Sequence, residues 1–170
     1  MTKIILAFPC MGKTHYAKNH PTKALDLESS DYFYDRTGYE HLSSEEFKGI
    51  PDRKPKENGL QNYIKAIDQA TRSNHYDYIF TAQNPEVVRG ILTKGHSVII
   101  VKPYNTEETK RILTERARAR GNNDTWIKNV LKFFTIDPEH LYSEEELEKI
   151  SVLKVSGKAY LTDIIQQELI

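Results

Sequence analysis

Lys13 and Thr14 follow Gly12 at the end of a short loop, and a cation beside a hydroxyl at that spacing can hold a phosphate tail and its metal. The stretch IILAFPCMGKTHY passes from an apolar run through Ala7-Phe8-Pro9-Cys10-Met11-Gly12-Lys13-Thr14 into a helical pattern. Strand, tight loop, Gly-Lys-Thr and helix is the layout of a P-loop. Its backbone N–H groups and the helix N-terminus make a nest for an anion. Pro9, Cys10, Met11, Gly12, Lys13, Thr14 and His15 would line the nucleotide. Lys13 would reach the β- and γ-phosphates, and the Thr14 hydroxyl would sit on Mg²⁺. His15 reads as helix surface rather than as a catalyst. Ala7 stands where the first glycine of G-x-x-x-x-G-K-[ST] belongs. Alanine costs something there only if the residue needs φ > 0 or a very close phosphate approach.

Phosphoryl transfer asks mainly for positioning and positive charge around the transferred group. Further cations are found in Thr-Glu-Arg-Ala-Arg-Ala-Arg-Gly, where Arg116 and Arg120 are four apart and share a helix face. Both are candidates to close over the phosphates, ahead of Arg118. Asp26 and Glu28 end the second apolar segment and can take a proton from an acceptor hydroxyl or hold Mg²⁺ through water. A nucleoside or other alcohol acceptor needs such a base. A nucleoside monophosphate brings its own anion and needs an arginine, which Arg36 could supply. Gln83 could read a base edge, or simply enter a helix. Tyr32, Phe33, Tyr34 and Tyr39 could stack on a base or form a small satellite core.

The elements that position these residues follow from periodicity. Strands are expected at residues 4–8, 23–28, 76–82, 97–101 and 152–155, several of them apolar throughout, as in parallel sheets buried on both faces. Helices are expected at 12–20, at Gly59–Ser73, from the Asn84-Pro85 cap to Gly95, from an Asn105/Glu108 cap to Arg120, at Asp124–Phe134, after Ser143, and at 162–169. Residues 32–58 are polar and aromatic, with a Ser43/Glu46 capping box inside. Alternating strands and helices predict an α/β layered sandwich whose ligands sit beyond the carboxyl ends of the strands. The expected organisation is one domain over residues 1–170, with an acceptor-side insertion at 31–58 and a lid-like helical region at 105–135.

The chain of 170 residues balances 24 Lys plus Arg against 24 Asp plus Glu, which argues against wholesale nucleic-acid or membrane binding. Cys10 is the single cysteine, so no intrachain disulfide can form, and a reducing cytoplasm is the simplest home. No apolar run approaches the roughly 20 residues of a membrane span. The six histidines show no metal-ligand spacing.

Taken together, ILAFPCMGKTHYA, ALDLESSDY, YDYIF, LTERARARGN and AYLTDII resemble the nucleoside and nucleoside monophosphate kinases. They are similar in particular to small P-loop proteins of bacteriophages and Gram-positive bacteria, over nearly the whole chain and least in 36–56 and 122–150. The family usually has a glycine where this chain has Cys10 or Met11. The resemblance implies a five-stranded parallel sheet in the order 2-3-1-4-5, ATP with Mg²⁺, Lys13 and Thr14 on phosphate and metal, and Arg116 and Arg120 in a lid. The expected activity is ATP-dependent phosphoryl transfer to a small acceptor, a nucleoside or nucleoside monophosphate. Two alternatives stay open: a kinase of another hydroxyl such as a polynucleotide 5′-end, and a nucleotide-binding phage regulator without turnover.

Overall fold

The protein is described from a computed structural model, which describes residues 1–168. In chain order the elements are β1 Lys3–Ala7, α1 Lys13–Asn19, β2 Ala24–Asp26, α2 Ser30–Phe33, α3 Ser44–Lys48, α4 Gly59–Ser73 and β3 Tyr78–Thr81. There follow α5 Pro85–Thr93, β4 Val98–Pro103, α6 Glu107–Ala119, α7 Asp124–Phe134, a 3₁₀ turn at Pro138–His140, α8 Glu144–Leu147, β5 Ile150–Val155 and α9 Leu161–Glu168. The strands form one parallel sheet in the order β2-β3-β1-β4-β5.

β1 is central and has helices on both sides. Ile5 and Ala7 face a core with Tyr16 of α1, Leu113 of α6, Phe134 of α7 and Ile164 of α9. Ile4 and Leu6 face the opposite core with Tyr63 and Ile67 of α4 and Val87, Val88 and Ile91 of α5. That two-sided burial is why the strand reads as an unbroken apolar run. α4 and α5 approach closely because residue 90 is glycine: a Cβ there would lie 2.1 Å from Ile64 Cδ1.

Local signals set the helix starts. Asn84 accepts from the N–H groups of Glu86 and Val87, with Pro85 in the first turn. Ser43 and Ser143 both complete capping boxes, with Glu46 and Glu146. α6 corrects the expected cap by one residue. Thr106, not Asn105, caps it, its hydroxyl accepting from Thr109 N–H at 3.1 Å. β2 is shorter than expected and stops at Asp26. Leu27 N–H still bonds Phe80 O at 3.0 Å, and the chain then turns through Ser29 into α2. The expected closing helix begins one residue earlier, and Leu169, its expected end, lies outside the described residues. Among the described residues no helix is long and apolar enough to cross a membrane.

Candidate functional site

The loop leaving β1 takes its shape from two left-handed residues. Cys10 has φ 66° and Gly12 φ 87°, and α1 starts at Lys13. Ala7 is still in β1 and is not among the positive-φ residues, so its side chain fits without strain. The departure that matters is Cys10, an L-residue in a conformation costing about 1–2 kcal/mol. Its sulfur accepts from Arg120 Nη1 at 3.5 Å. The turn before α9 backs the loop: Leu161 N–H donates to Met11 O at 2.9 Å, and the Tyr160 ring lies 3.3 Å from where a Gly12 Cβ would be.

Lys13 Nζ donates to Ala7 O at 2.9 Å. Burial pushes this ammonium below the ordinary lysine value; Asp26 and Glu28 oppose the shift, while Arg120 and Lys48 add to it. A partly desolvated ammonium gains from a polyanion placed against it. Thr14 Oγ1 donates to Asp26 Oδ2 at 2.6 Å. Burial raises the Asp26 carboxyl, and the Thr14 hydrogen bond and Lys13 only partly reverse this. Glu28 lies past the strand, in the turn, where its Oε1 accepts from Ser30 N–H and Oγ–H, both at 3.3 Å. Its Oε2 pairs with Lys48 of α3 at 2.9 Å. Burial would raise Glu28, but the charge and hydrogen bond of Lys48, with Ser30, hold it below the ordinary carboxylate value.

The two lid arginines diverge. Arg120, at the end of α6, meets the loop at Cys10, whereas the Arg116 guanidinium lies 3.9 Å over the Tyr160 ring. Arg116 Nη2 donates to Lys158 O at 2.8 Å, and its Nη1 is buried without a hydrogen-bond acceptor. Arg118 turns away to Asp124 at 3.2 Å. α7 is fastened behind the loop. Phe134 meets Phe8 edge-on at 5.1 Å between centroids, and buried Lys102 of β4 binds Ile136 O and Asp137 just beyond.

Three groups of candidate residues have partners within the protein. Gln83 does not offer its amide N–H₂ to a base edge, because Nε2 donates to Leu6 O at 2.7 Å and Val101 O at 3.0 Å, tying β1 to β4. Arg36 is not aimed at an acceptor anion. It donates to Leu42 O, meets Asp31 at 3.4 Å and lies 4.9 Å over Phe47, bracing the insertion from within. The insertion aromatics are packing partners: Tyr32 and Phe33 pack on Tyr63, Tyr39 on Phe47, and Tyr34 lies under Arg53. His15 is exposed and bonds Asn19 one turn on, as helix surface does.

Sequence reasoning missed Lys48 and Tyr160. Lys48 follows Phe47 on the capped helix α3, and the Ser43 signal could have placed it on a fixed helix. Nothing local marks Tyr160, which reaches Gly12 only through the fold.

No family model matches the chain, and no curated protein matches it. Among solved structures, the chain is similar to the tunicamycin resistance protein of Deinococcus radiodurans. The two share 15% identity over 98% of this chain and 93% of that one, with a TM-score of 0.56. It is also similar to the shikimate kinase of Aquifex aeolicus, with 15% identity, 99% and 94% coverage and a TM-score of 0.52. At this identity the likeness speaks for architecture alone, and the architecture is that of the P-loop kinase-like folds.

Proposed function

We propose that this protein transfers the γ-phosphoryl group of ATP to a hydroxyl of a small acceptor bound between β2 and the insertion. One observation carries the reading. The half-buried Lys13 ammonium, the Thr14 hydroxyl and the Asp26 carboxylate converge at the mouth of a loop bent by left-handed Cys10 and Gly12. The loop amides and Lys13 hold the phosphate tail, and Arg120 closes on it from α6. Arg116 on Tyr160, next to Gly12, offers a flat cationic surface on which a base could stack.

Thr14 Oγ1 and Asp26 Oδ2 are adjacent hard oxygen donors, which suits Mg²⁺; the metal would neutralise charge on the transferred group. Asp26 also serves the acceptor. As the acceptor oxygen bonds to the γ-phosphorus and the bond to the bridging oxygen breaks, the acceptor proton passes to the carboxylate and ADP leaves with the bridging electron pair. Burial raises the proton affinity of Asp26, which suits a proton acceptor.

The test is Lys13→Ala. Transfer, followed as ADP release against a panel of small alcohols, should fall by about 10²–10³-fold, as for loss of a preorganised charge. Transfer at the wild-type rate would end the assignment. A second reading, nucleotide binding without turnover, draws on the carboxyl end of β3. That strand ends at Thr81, whose buried hydroxyl lacks a partner, and no carboxylate follows in Ala82-Gln83. Tight ATP binding with no transfer to any acceptor would favour it.

A further inference from the structure

On the β2 side of the site lies an ion pair that the phosphate chemistry above does not use. Glu28 Oε2 and Lys48 Nζ are 2.9 Å apart, and their side chains are 27% and 15% exposed. Both ends are anchored. Ser30 holds the other oxygen of Glu28, and Lys48 adjoins Phe47, which is fully buried in a helix started by a complete capping box. Asp26, two residues before Glu28, is bound to Thr14, so the pair lies beside the reacting end of the cleft.

What such a pair recognises follows from its chemistry. A carboxylate only accepts hydrogen bonds and an ammonium only donates them. Two neighbouring hydroxyls satisfy both, one donating to Glu28 and the other accepting from Lys48. A phosphate or carboxylate drawn to Lys48 would instead lie against the Glu28 carboxylate, at the distance of the existing ion pair, and be repelled. The arginine whose type suits an anionic acceptor, Arg36, is spent on Leu42, Asp31 and Phe47.

We infer that the acceptor is uncharged around its reacting end and carries a vicinal pair of hydroxyls, as a sugar ring or polyol does, and that Glu28 and Lys48 read that pair. Monophosphates are thereby excluded as acceptors. The inference rests on the phosphoryl-transfer reading, and its test separates the two.

Calorimetry on nucleotide-free protein reads acceptor binding directly, with a panel of ribonucleosides, their 2′,3′-dideoxy forms, free pentoses and polyols, and the 5′-monophosphates. ADP release with ATP and Mg²⁺ reads transfer to the same panel. Diol-bearing neutral compounds should bind and react. The dideoxy forms and monophosphates should be weaker by about tenfold or more, the usual loss when a charged hydrogen bond is left unmade. Nucleosides against free sugars tells which source of the diol is preferred.

Glu28→Gln removes the carboxylate that repels an anion beside Lys48 and should shift the monophosphate-to-nucleoside ratio upward by about tenfold. Lys48→Met should weaken diol binding with no gain for monophosphates, and it keeps the test open if Glu28→Gln folds poorly. Preference for monophosphates in the wild-type protein, a ratio unmoved by Glu28→Gln, or no panel compound binding would overturn the inference. Absence of ATP binding with diol binding intact would instead remove the phosphoryl-transfer reading and keep the acceptor class.

Discussion

On the β1 side of the cleft the site is made largely of main chain: left-handed Cys10 and Gly12, the first amides of α1, and the Leu161–Met11 hydrogen bond behind them. On the β2 side it is made of side chains: Asp26 on Thr14, Glu28 on Lys48, and an insertion closed around Phe47 by Arg36, Arg53 and Tyr39. Main-chain geometry suits a ligand part that never changes, such as a phosphate tail. Side-chain pairs can be exchanged one at a time and suit the part that sets specificity.

The most disruptive way to separate the two sides is Phe47→Ala. Truncating a fully buried phenylalanine costs about 3–5 kcal/mol, here drawn from the packing of the insertion. Hydrogen exchange should rise across residues 31–58 and acceptor binding should fail, while ATP affinity stays within about twofold, as for independent sites. A parallel loss of ATP affinity would mean that the two sides are one unit. Next is Gly12→Val, which forces a β-branched residue to φ 87° and against the Tyr160 ring. Strain of about 1–2 kcal/mol alone predicts roughly tenfold weaker nucleotide binding, with acceptor binding spared. Calorimetry with each ligand separately reads both effects.

Gln83→Leu touches neither ligand. It removes two hydrogen bonds that join β1 to β4, each worth about 1 kcal/mol, and should lower the melting temperature without altering base preference. A changed ATP-to-GTP preference would restore Gln83 to the nucleotide.

The smallest effect concerns Asp26, and its sign is the point. Burial raises this carboxyl above its ordinary value of 3.8 despite the Thr14 hydrogen bond and Lys13. The folded state then holds the proton more tightly than the unfolded state, so stability falls as pH rises from that value through the folded one. Above the folded value the penalty is complete. Asp26→Asn should therefore slow transfer while raising the melting temperature, by about 2–4 °C per kcal/mol recovered in a domain of this size. Repeated below the ordinary carboxyl value, the gain should vanish. A lower melting temperature at neutral pH would show that the carboxylate stabilises the fold.

The same contrast explains what could be read from the sequence. The strand, turn and helix start across Ala7 to Thr14 were legible because the apolar run, the glycine and the helical pattern are contiguous. The strand–helix alternation was legible because β1 and β4 are buried on both faces. Strand order came from the resemblance, not from periodicity. Asn105 and Thr106 are both good capping residues side by side, and the sequence alone does not choose Thr106. Arg36 and Gln83 have side chains able to bind either ligand or protein, and their partners, Leu42 and the Leu6 and Val101 carbonyls, are set by folding. Lys48 lies 20 residues from Glu28, and Tyr160 meets Gly12 from the far end of the chain. Pairings at such separations leave no periodic trace.

If the turn at Cys10–Lys13 holds the phosphate tail of a nucleotide, calorimetry of ATP with Mg²⁺ should give a saturable heat with the wild-type protein. Lys13→Ala should lose that heat and keep its melting temperature. No heat with the wild type, or the same heat with both, would mean that the turn does not bind the nucleotide.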